Sequence, residues 1–392
     1  MNDTQAKYPQ LRFKGFADPW EQRKVSELAD RYDNLRVPIT ASERVAGETP
    51  YYGANGIQDY VEGFTHNGEF VLVAEDGAND LQNYPVQYVD GKVWVNNHAH
   101  VLQAKEERAD NKFLTNALKH TNIEPYLVGG GRAKLNADVM MKINFKVPTL
   151  PEQVQIGKFF DNLDHLITLH EEKKRQLECL KSALLQKMFA DKSGYPVVRF
   201  EGFDKAWEER KLGDAVSISS GVTGDATLQD GEYRLTRIES ISQGTLNVAR
   251  LGFTNKKPDQ KYLLNLGDIL YSNINSLSHI GKVALVDTTG IYHGINLLRF
   301  QMRNDVDSEF LFQRLNTTPM KNWAVSHANP AVSQASINQT ELSKQPISLP
   351  TITEQQKIGS FFKQLDKTIA LHQRKLDLLK EQKKGFLQKM FV

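Results

Sequence analysis

The sequence has a single cysteine, Cys179, among 392 residues. One thiol excludes an intrachain disulfide and a thiolate metal cluster, which favours a reducing compartment such as the cytoplasm. Long hydrophobic runs are also missing. No stretch of about 18 apolar residues occurs, and residues 1–20 lack the apolar segment of a secretion signal. A membrane-spanning or secreted protein is therefore not expected.

An excess of one charge is missing too. The chain has 49 lysines and arginines against 47 acidic residues, which gives a net charge of +2. Such a balance does not indicate nucleic-acid binding by itself, so any basic surface must be local. With 40% hydrophobic and 24% charged residues, the chain is typical of a globular protein that is long enough for two or more domains.

What the chain does contain is an internal repeat. The first matched segment recurs at an offset of 187 residues (195 − 8 = 187), and the second at an offset of 202 (354 − 152 = 202). In the first segment, Tyr8-Pro9, Arg12-Phe13, Gly15-Phe16, Trp20-Glu21 and Arg23-Lys24 match Tyr195-Pro196, Arg199-Phe200, Gly202-Phe203, Trp207-Glu208 and Arg210-Lys211. In the second, Glu152-Gln153, Ile156-Gly157, Phe159-Phe160 and Leu163-Asp164 match Glu354-Gln355, Ile358-Gly359, Phe361-Phe362 and Leu365-Asp366.

The interiors between these matched ends differ, and the second is longer by 15 residues (202 − 187 = 15). Two copies kept alike only for stability should also resemble each other in their buried interiors. Similar ends around dissimilar interiors instead suit a protein whose two halves dock alike on a common partner while recognising different things.

Each repeat ends in a long helical pattern. Pro148 and Pro151 block continuation from upstream, so a helix is predicted from Glu152 to about Phe189, and its copy follows Pro350. Apolar residues follow alternating steps of four and three, which predicts a coiled-coil seam. Because the chain must leave one domain, traverse the rod, build the other domain and return, the two helices are expected to pair antiparallel. The pairing residues are Ile156, Phe160, Leu163, Ile167, Leu177 and Leu184 in the first helix and Ile358, Phe362, Leu365, Ile369, Leu376 and Leu379 in the second.

The interiors show short β-rich runs bounded by glycine, asparagine and aspartate, which predicts an α+β fold. These runs are residues 69–74, 92–95, 267–271 and 283–286. The predicted architecture is two globular domains of mixed α/β structure, separated by an antiparallel two-helix coiled coil with an internal pseudo-twofold repeat. The predicted boundaries are 1–145, 146–190 for the central helix, 191–345, and 346–392 for the C-terminal helix.

The doubled order of variable domain, proline-containing approach and Glu-Gln-x-x-Ile-Gly helix start at Glu152 and Glu354 resembles the specificity subunits of type I restriction-modification systems. The resemblance covers the whole chain. Taken alone, Glu-Gln at a helix start predicts only an N-terminal charge and cap signal.

The resemblance implies that each variable domain recognises one half of a split, asymmetric site in double-stranded DNA. It also implies that the paired helices form a spacer that holds two modification subunits, and that the assembly recruits two restriction subunits. No cofactor is expected on this chain. S-adenosylmethionine, ATP and magnesium are expected on the partner subunits.

A catalytic alternative, a nuclease or methyltransferase, would need a complete constellation of chemical groups. Pro258-Asp259-Gln260-Lys261 lacks the further carboxylates of a nuclease metal site, and Asn329-Pro330-Ala331 lacks the second proline and the aromatic of an amino-methyltransferase. Gly129–Arg132 lacks the spacing of a phosphate-binding loop, and His98-Ala99-His100 has no third metal ligand nearby. No catalytic or metal site is therefore predicted.

A purely structural scaffold would explain the helices but not two divergent domains.

DNA recognition requires side-chain forks and amides for bases, and cations, amides and hydroxyls for phosphates. Loops in both interiors supply such groups. The candidate DNA-binding residues are Tyr51, Tyr52, Asn55, Arg132 and Lys134 in the first domain and Arg234, Arg237, Asn273, Asn275 and Ser276 in the second.

Overall fold

The computed structural model describes residues 8–130, 133–190, 193–241, 244–330 and 334–391. The chain folds into two compact units. Unit 1 comprises Met1–Glu171 with Gln373–Val392, and unit 2 comprises Glu172–His372. Each unit therefore contains one interior of the sequence repeat and a part of each long helix. Among the described residues, no helix has the length and apolar character needed to cross a membrane.

Unit 1 is built on a four-stranded antiparallel sheet with the order β2-β9-β6-β7. A second sheet, β4-β3-β8-β5, pairs β3 with β8 in parallel, and β1 pairs with β12 and β10 with β11. The strands are β1 Glu21–Lys24, β2 Ala29–Arg31, β3 Ala46–Gly53, β4 Gly56–Val61, β5 His66–Asn67, β6 Phe70–Ala74, β7 Val86–Val89, β8 Lys92–Val95, β9 Ala99–Ala104, β10 Leu127–Val128, β11 Lys134–Leu135 and β12 Asn144–Val147. The helices are α1 Val25–Leu28, α2 Asn111–His120, α3 Ala137–Met140 and α4 Leu150–Lys187.

Unit 2 has the same plan. Its four-stranded antiparallel sheet has the order β14-β21-β17-β19, its three-stranded sheet β16-β15-β20 pairs β15 with β20 in parallel, and β13 pairs with β23 and β18 with β22. The strands are β13 Glu208–Lys211, β14 Val216–Ser220, β15 Tyr233–Leu235, β16 Gly252–Thr254, β17 Ile269–Tyr271, β18 Ile274–Asn275, β19 Val283–Leu285, β20 Ile291–Tyr292, β21 Leu298–Met302, β22 Ala335–Ser336 and β23 Pro346–Leu349. The helices are α5 Leu212–Ala215, α6 Ser308–Leu315, α7 Thr318–His327, α8 Gln339–Ser343 and α9 Ile352–Met390.

The four-stranded main sheets and the β1-β12 and β13-β23 pairs correspond between the units, while the second sheet has four strands in unit 1 and three in unit 2, so the variable interiors of the sequence are two versions of one fold. The four-stranded sheets carry α2 and α6 on one face, and the apolar sides of these helices, with Phe113 and Phe310, are fully buried in the two cores. An aspartate side chain caps each helix in the same way. Asp110 Oδ1 accepts from Phe113 N at 2.8 Å, and Asp307 Oδ1 accepts from Phe310 N at 2.8 Å.

The repeated arginine and glutamate form a buried ion pair in each unit. Arg12 donates from Nε and Nη2 to the two carboxylate oxygens of Glu152, both at 2.7 Å, and Arg199 makes the same two bonds to Glu354 at 2.8 Å. Both glutamates are buried. Removing one partner of such a pair would leave an uncompensated buried charge, which typically costs about 3–5 kcal/mol.

The glutamine that follows each glutamate is buried as well. Gln153 donates to the carbonyls of Pro148 and Arg108 and accepts from Asp110 N, and Gln355 donates to those of Pro350 and Asp305 and accepts from Asp307 N. The interpretation of Glu-Gln as a cap signal alone is therefore wrong. The pair anchors the start of each long helix to its own domain through hydrogen bonds that require the folded core.

The two long helices pair antiparallel. In unit 1 the last turns of α9 pack on the first turns of α4, and Phe386 contacts Phe159 with ring centroids 5.0 Å apart. In unit 2 the end of α4 packs on the start of α9, where Phe189 stacks on Phe362. α4 begins at Leu150 instead of the predicted Glu152, because Pro151 fits the first helical turn, where an N–H has no acceptor.

The predicted pairing residues differ in burial along the rod. Those near each domain are buried in the core of their unit, whereas Ile167, Leu177, Leu184, Ile369 and Leu379 are half-buried, as two helices alone would leave them. The members buried in these cores are Ile156, Phe160, Leu163, Ile358, Phe362 and Leu365, and Leu376 is buried near the middle of α9, outside both cores. The four predicted strand runs are confirmed as β6, β8, β17 and β19.

Candidate DNA-recognition surface

The first candidate region is the hairpin of β3 and β4 in unit 1 and its counterpart, β15 and β16, in unit 2. In each unit the first strand of this pair also runs parallel to a third strand, with Tyr51 opposite Trp94 and Leu235 opposite Tyr292. The candidates Tyr51 and Tyr52 of the first interior and Arg234 of the second thus lie on equivalent strands.

Tyr51 does not present its side chain to a ligand. The ring is buried, its hydroxyl donates to the Ile39 carbonyl at 3.2 Å, and the Arg44 guanidinium lies 4.2 Å above it. Strand alternation explains this, because Tyr51 points into the core while its neighbours on β3 do not. Tyr52 is half-buried, and burial, followed by the nearby Tyr60, raises the pKa of its hydroxyl.

Asn55 lies in the tight turn between β3 and β4 and is exposed. Its Nδ2 donates to the Gly77 carbonyl at 2.9 Å, and its Oδ1 accepts from Asn79 N at 2.9 Å. The side chain therefore ties the hairpin turn to the loop that follows β6, which brings two surface loops of unit 1 together.

The corresponding hairpin of unit 2 is basic. Arg234 is exposed on β15, and the half-buried Arg237 covers Gly252, where a Cβ would lie 2.2 Å from its Nε. Neither guanidinium has an acidic partner among the residues that the structure describes. Exposed cations flank β16 on both sides, again without ion pairs in the described ranges. They are Arg250, Lys256 and Lys257.

The second candidate region, called here the short strand pair, follows the third strand of each main sheet. In unit 1, residues 75–76 pair with 134–135, and Leu135 N donates to the Glu75 carbonyl at 2.7 Å. In unit 2, residues 273–275 pair with 335–337, and Ile337 N donates to the Asn273 carbonyl at 2.8 Å. Lys134 and Asn273 thus belong to equivalent structures.

The candidates on the short strand pair of unit 2 form local hydrogen bonds. Asn273 Nδ2 donates to the Ile337 carbonyl at 3.2 Å, and Asn275 Nδ2 donates to Ser272 Oγ at 3.1 Å. Ser276 is exposed, with its hydroxyl 2.9 Å from His279 Nδ1. In unit 1, Lys134 Nζ lies 2.9 Å from Glu75 Oε1, which raises the pKa of the lysine. Arg132 lies outside the described residues.

The carboxylates and imidazole beside Lys134 form a cluster that the sequence did not indicate. Asp33, Glu75 and His100 place one ligand atom each within 4.8 Å of one another. Arg36 Nη1 lies 2.7 Å from Glu75 Oε2, and His100 Nδ1 lies 2.7 Å from Asp33 Oδ2. Arg36 and Lys134 already compensate the carboxylates, so the donor set does not suit a divalent metal.

The pKa values of the two carboxyl groups follow from this compensation. Burial alone would raise the pKa of Asp33, but the bonds from His100 and the Val101 amide lower it below the usual range. Burial would also raise the pKa of Glu75, but the hydrogen bonds from Lys134 and Arg36 together outweigh that effect. The pKa of Glu75 is therefore lowered as well. Both groups are held as carboxylates.

The Pro-Asp-Gln-Lys and His-Ala-His sequences have structural roles. Asp259 Oδ1 accepts from Lys261 N at 3.0 Å and caps a short turn, while the Lys261 ammonium lies 5.0 Å from the centre of the Tyr262 ring. His98 of the His-Ala-His sequence pairs with Asp76 at 2.6 Å, and His100 is buried in the cluster. These side chains hold loops in place.

Comparison with known proteins agrees with the doubled architecture. The family described as "Type I restriction modification DNA specificity domain" matches residues 17–179 and again 204–381. The chain belongs to the specificity-subunit family of type I restriction-modification systems. Such subunits are the non-catalytic components that recognise DNA in these systems. The two matches coincide with the two copies of the fold described above.

Individual relatives share this description over most of their length. A type I restriction enzyme specificity subunit of Haemophilus influenzae is 32% identical over 359 residues, which cover 87% of this chain and 86% of the relative. The MjaVIII specificity subunit of Methanocaldococcus jannaschii is 22% identical over 94% of this chain and 91% of its own length. A crystal structure of the S subunit from M. genitalium shares the fold, with a TM-score of 0.71 at 16% identity and coverage of 98% and 99%.

Sequence reasoning placed the two candidate regions of the specificity subunit but missed the cluster between them. Asp33, Arg36 and Glu75 come from three separate segments of the first interior and follow no motif spacing. The only local signal was the His-Ala-His sequence at the start of β9, because strand-like alternation would put both imidazoles on one side. Sheet register, which the sequence does not reveal, decides that His100 meets Asp33.

Proposed function

We propose that this specificity subunit recognises a bipartite, asymmetric DNA sequence, with each unit reading one half-site through its hairpin and short strand pair. One observation carries this proposal. Two units of related topology carry chemically different polar groups on equivalent elements, as Asn55 and Lys134 on the hairpin and short strand pair of one unit and Arg234 and Asn273 on those of the other. Two different half-sites would require different polar groups carried by the same structural elements.

The chemistry of the two surfaces supports different roles for bases and phosphates. Arginine forks such as Arg234 suit the O6 and N7 acceptors of guanine, and asparagine amides suit adenine. The exposed cations around β16 suit backbone phosphates, which position a domain without specifying sequence. We therefore expect Arg250, Lys256 and Lys257 to contribute affinity that weakens as salt rises.

We also propose that α4 and α9 fix the spacer between the half-sites and hold two modification subunits, and that the assembly recruits two restriction subunits. S-adenosylmethionine, ATP and magnesium would then be bound by those partners. Exposed leucines on the two helices support a protein interface, since water-facing leucine favours burial against a partner. They are Leu166, Leu169, Leu180, Leu371 and Leu378.

The role of the helices as a spacer has its own test. Inserting four residues after Gln176 and four after Leu378 lengthens both helices by about 6 Å, or nearly two base pairs. The methylated site should keep both half-sites and gain spacer length. A folded, active double insertion with an unchanged spacer would show that the helices do not set the distance.

The proposed function is tested by sequencing methylated bases in a host with and without this gene, together with its modification subunit. The expected result is one split motif that is present only when the gene is present. Methylation that does not depend on the gene, or that falls on a single undivided motif, would contradict the proposal.

A further inference from the structure

Unit 2 contains an open cleft of about 540 Å³, called here the α7 cleft. It is bordered by the last turns of α4, the end of α6 and the first turn of α7. Its charged lining residues are three cations and one carboxylate, namely Lys181, Arg314, Lys321 and Glu178. Hydroxyl groups such as that of Thr318 add hydrogen-bond donors. The charge and the donors of this lining suit an anion.

The positive charge of the α7 cleft exceeds its negative charge. Glu178 already contacts Lys174 at 3.1 Å, and Lys181 contacts Asp366 at 2.6 Å. Lys321 is exposed and forms no ion pair with any residue that the structure describes. Its ammonium therefore adds a charge that no carboxylate in the described ranges compensates.

Lys321 occupies an unfavourable position for a cation. It lies in the first turn of α7, where the helix dipole disfavours positive charge. Burial of the ammonium, followed by the nearby Lys181 and Lys282, lowers its pKa. Because the residue is exposed, core packing does not require a lysine at this position. A bound anion would offset the repulsion among these cations, which gives the arrangement a function.

The cations of the α7 cleft lie next to the short strand pair of unit 2. The carbonyl of Lys282 accepts from Ser272 N at 2.8 Å, and Ser272 directly precedes the candidate Asn273. α7 packs on the same loop, because a Cβ at Gly281 would lie 2.9 Å from the Cβ of Ala324. The cleft is therefore continuous with the surface that is proposed to read bases.

Unit 1 differs from unit 2 at this place. In the part of unit 1 that the structure describes, no α-helix lies between α2 and β11. The matched caps Asp110 and Asp307 are 197 positions apart (307 − 110 = 197), which places Ala117 where Arg314 stands (314 − 117 = 197). A cleft of about 280 Å³ beside α2 contains as many aspartates as lysines. Its charged residues are Lys112, Lys119, Asp161 and Asp164.

We propose that the α7 cleft, together with the neighbouring Lys282, binds phosphates of the DNA backbone beside the half-site that unit 2 reads. The inference rests on the proposed function. Phosphates recur at a fixed spacing along each DNA strand, so cations beside a base-reading loop meet them whatever the sequence. The excess of positive charge and the continuity with the short strand pair favour DNA over an acidic protein segment.

The first test measures the salt dependence of DNA binding by the subunit in complex with its modification partner. The slope of log Kd against log salt should be about 0.9 smaller in Lys321→Gln, so that between about 50 and 200 mM salt the wild type loses roughly threefold more affinity. Lys321→Arg keeps the charge and should keep the wild-type slope. Lys205→Gln, which removes an exposed charge from the repeated segment of unit 2, is the matched control and should also keep it.

The second test locates the contact on the DNA. The half-site of unit 2 is the one that stays unchanged when the interior of unit 1 is exchanged. Neutral methylphosphonates replace the phosphates beside that half-site one at a time. One or two replacements should weaken binding severalfold in the wild type and have no effect in Lys321→Gln. Equal responses of the two proteins at every position would overturn the inference.

Sequence preference separates a phosphate contact from base reading. Lys321→Gln should weaken binding to intact and scrambled half-sites by the same factor, since a phosphate contact carries no sequence information. A loss confined to the intact half-site, or an unchanged salt slope, would overturn the inference. Weaker assembly of the variant with the modification partner without DNA, combined with a wild-type slope, would do so as well and would identify an acidic protein segment as the occupant. A wild-type complex without any sequence preference would refute the proposed function itself, whereas the slope of Lys321→Gln tests the cleft alone.

Discussion

Lys181 Nζ lies 2.6 Å from Asp366 Oδ1, which joins the last part of α4 to the first part of α9. The same contact recurs with the helices exchanged, because Lys383 Nζ of α9 lies 2.5 Å from Asp164 Oδ1 of α4. Both residues of the second pair are related to the first by 202 positions (383 − 181 = 202, 366 − 164 = 202). Each long helix therefore supplies one acid and one base, and only antiparallel pairing satisfies both contacts.

The apolar residues next to these contacts should contribute strongly to the stability of the helix pair. Leu163 and Leu365 are each 9% exposed within the cores of their units. Leu163→Asp or Leu365→Asp should lower the free energy of unfolding by about 3 kcal/mol or more, since each buries a carboxylate among apolar groups. Leu166→Asp, at a site 42% exposed on the same helix, is the control and should change it little. Urea unfolding of the variants checks this, and equal midpoints for Leu163→Asp and Leu166→Asp would contradict it.

A second pair of contacts has reversed charges in the two units. Lys112 on α2 meets Asp161 on α4 at 2.7 Å, whereas Glu309 on α6 meets Lys363 on α9 at 2.6 Å at the equivalent place. Lys112→Glu should therefore destabilise unit 1 by about 0.5–1 kcal/mol, and adding Asp161→Lys should restore it. A double-mutant cycle measures the coupling. Additive effects of the two substitutions would show that the pair contributes nothing to seating the domain on its helix.

Two helical glycines allow the long helices to approach the capped helices. A Cβ at Gly157 would lie 2.4 Å from Asp110 Oδ1, and one at Gly359 would lie 2.6 Å from Asp307 Oδ1. Alanine at either position should cost about 1–3 kcal/mol, because the capping aspartate must move. Gly385→Ala is the matched control, since nothing lies within 4 Å of its Cβ and alanine favours the helix by about 1 kcal/mol. Thermal midpoints should therefore move in opposite directions, and a shift in the same direction would refute the packing argument.

The buried His293 should make unit 2 sensitive to acid. Burial lowers its pKa to about 4, despite the bond it donates to the Leu297 carbonyl, so the folded ring is neutral. The unfolded chain binds a proton below about pH 6.5, so stability is complete above that pH and is lost as pH falls toward 4. From pH 7 to pH 5 the loss should be about 2 kcal/mol larger in the wild type than in His293→Gln. Urea unfolding at both pH values measures it. His165→Gln, which removes an exposed histidine, should keep the wild-type difference.

Much of this architecture could be predicted from sequence because the signals are local or repeated. The seam follows from spacing along one helix, and the duplication follows from matched segments such as Glu152-Gln153 and Glu354-Gln355. The function of that Glu-Gln pair could not be predicted, since its partners Arg12 and Pro148 become neighbours only after folding. The same Glu-Gln sequence is compatible with a helix-start signal and with a buried anchor.

The candidate site was predictable in position and less so in detail. Polar loops after short strands indicated the hairpins and the short strand pairs, which are equivalent elements of the two units, and their contact with DNA stays a prediction. The burial of Tyr51 and the meeting of His100 with Asp33 depend on which strands pair and in which register. Those pairings are determined by contacts throughout the core between residues that are far apart in the sequence. Residue spacing along the chain does not reveal them.

The central claim is that each unit reads its own half-site, and exchanging one interior tests it most directly. Residues 25–145 are replaced by the interior of another specificity subunit, which leaves β1, the second half of β12 and both long helices in place. Methylated sites are then mapped in cells that carry the exchanged or the original subunit with its modification partner. The account predicts that one half-site changes while the other half-site and the spacer length stay the same. A change of both half-sites, or of neither in an active complex, would contradict it.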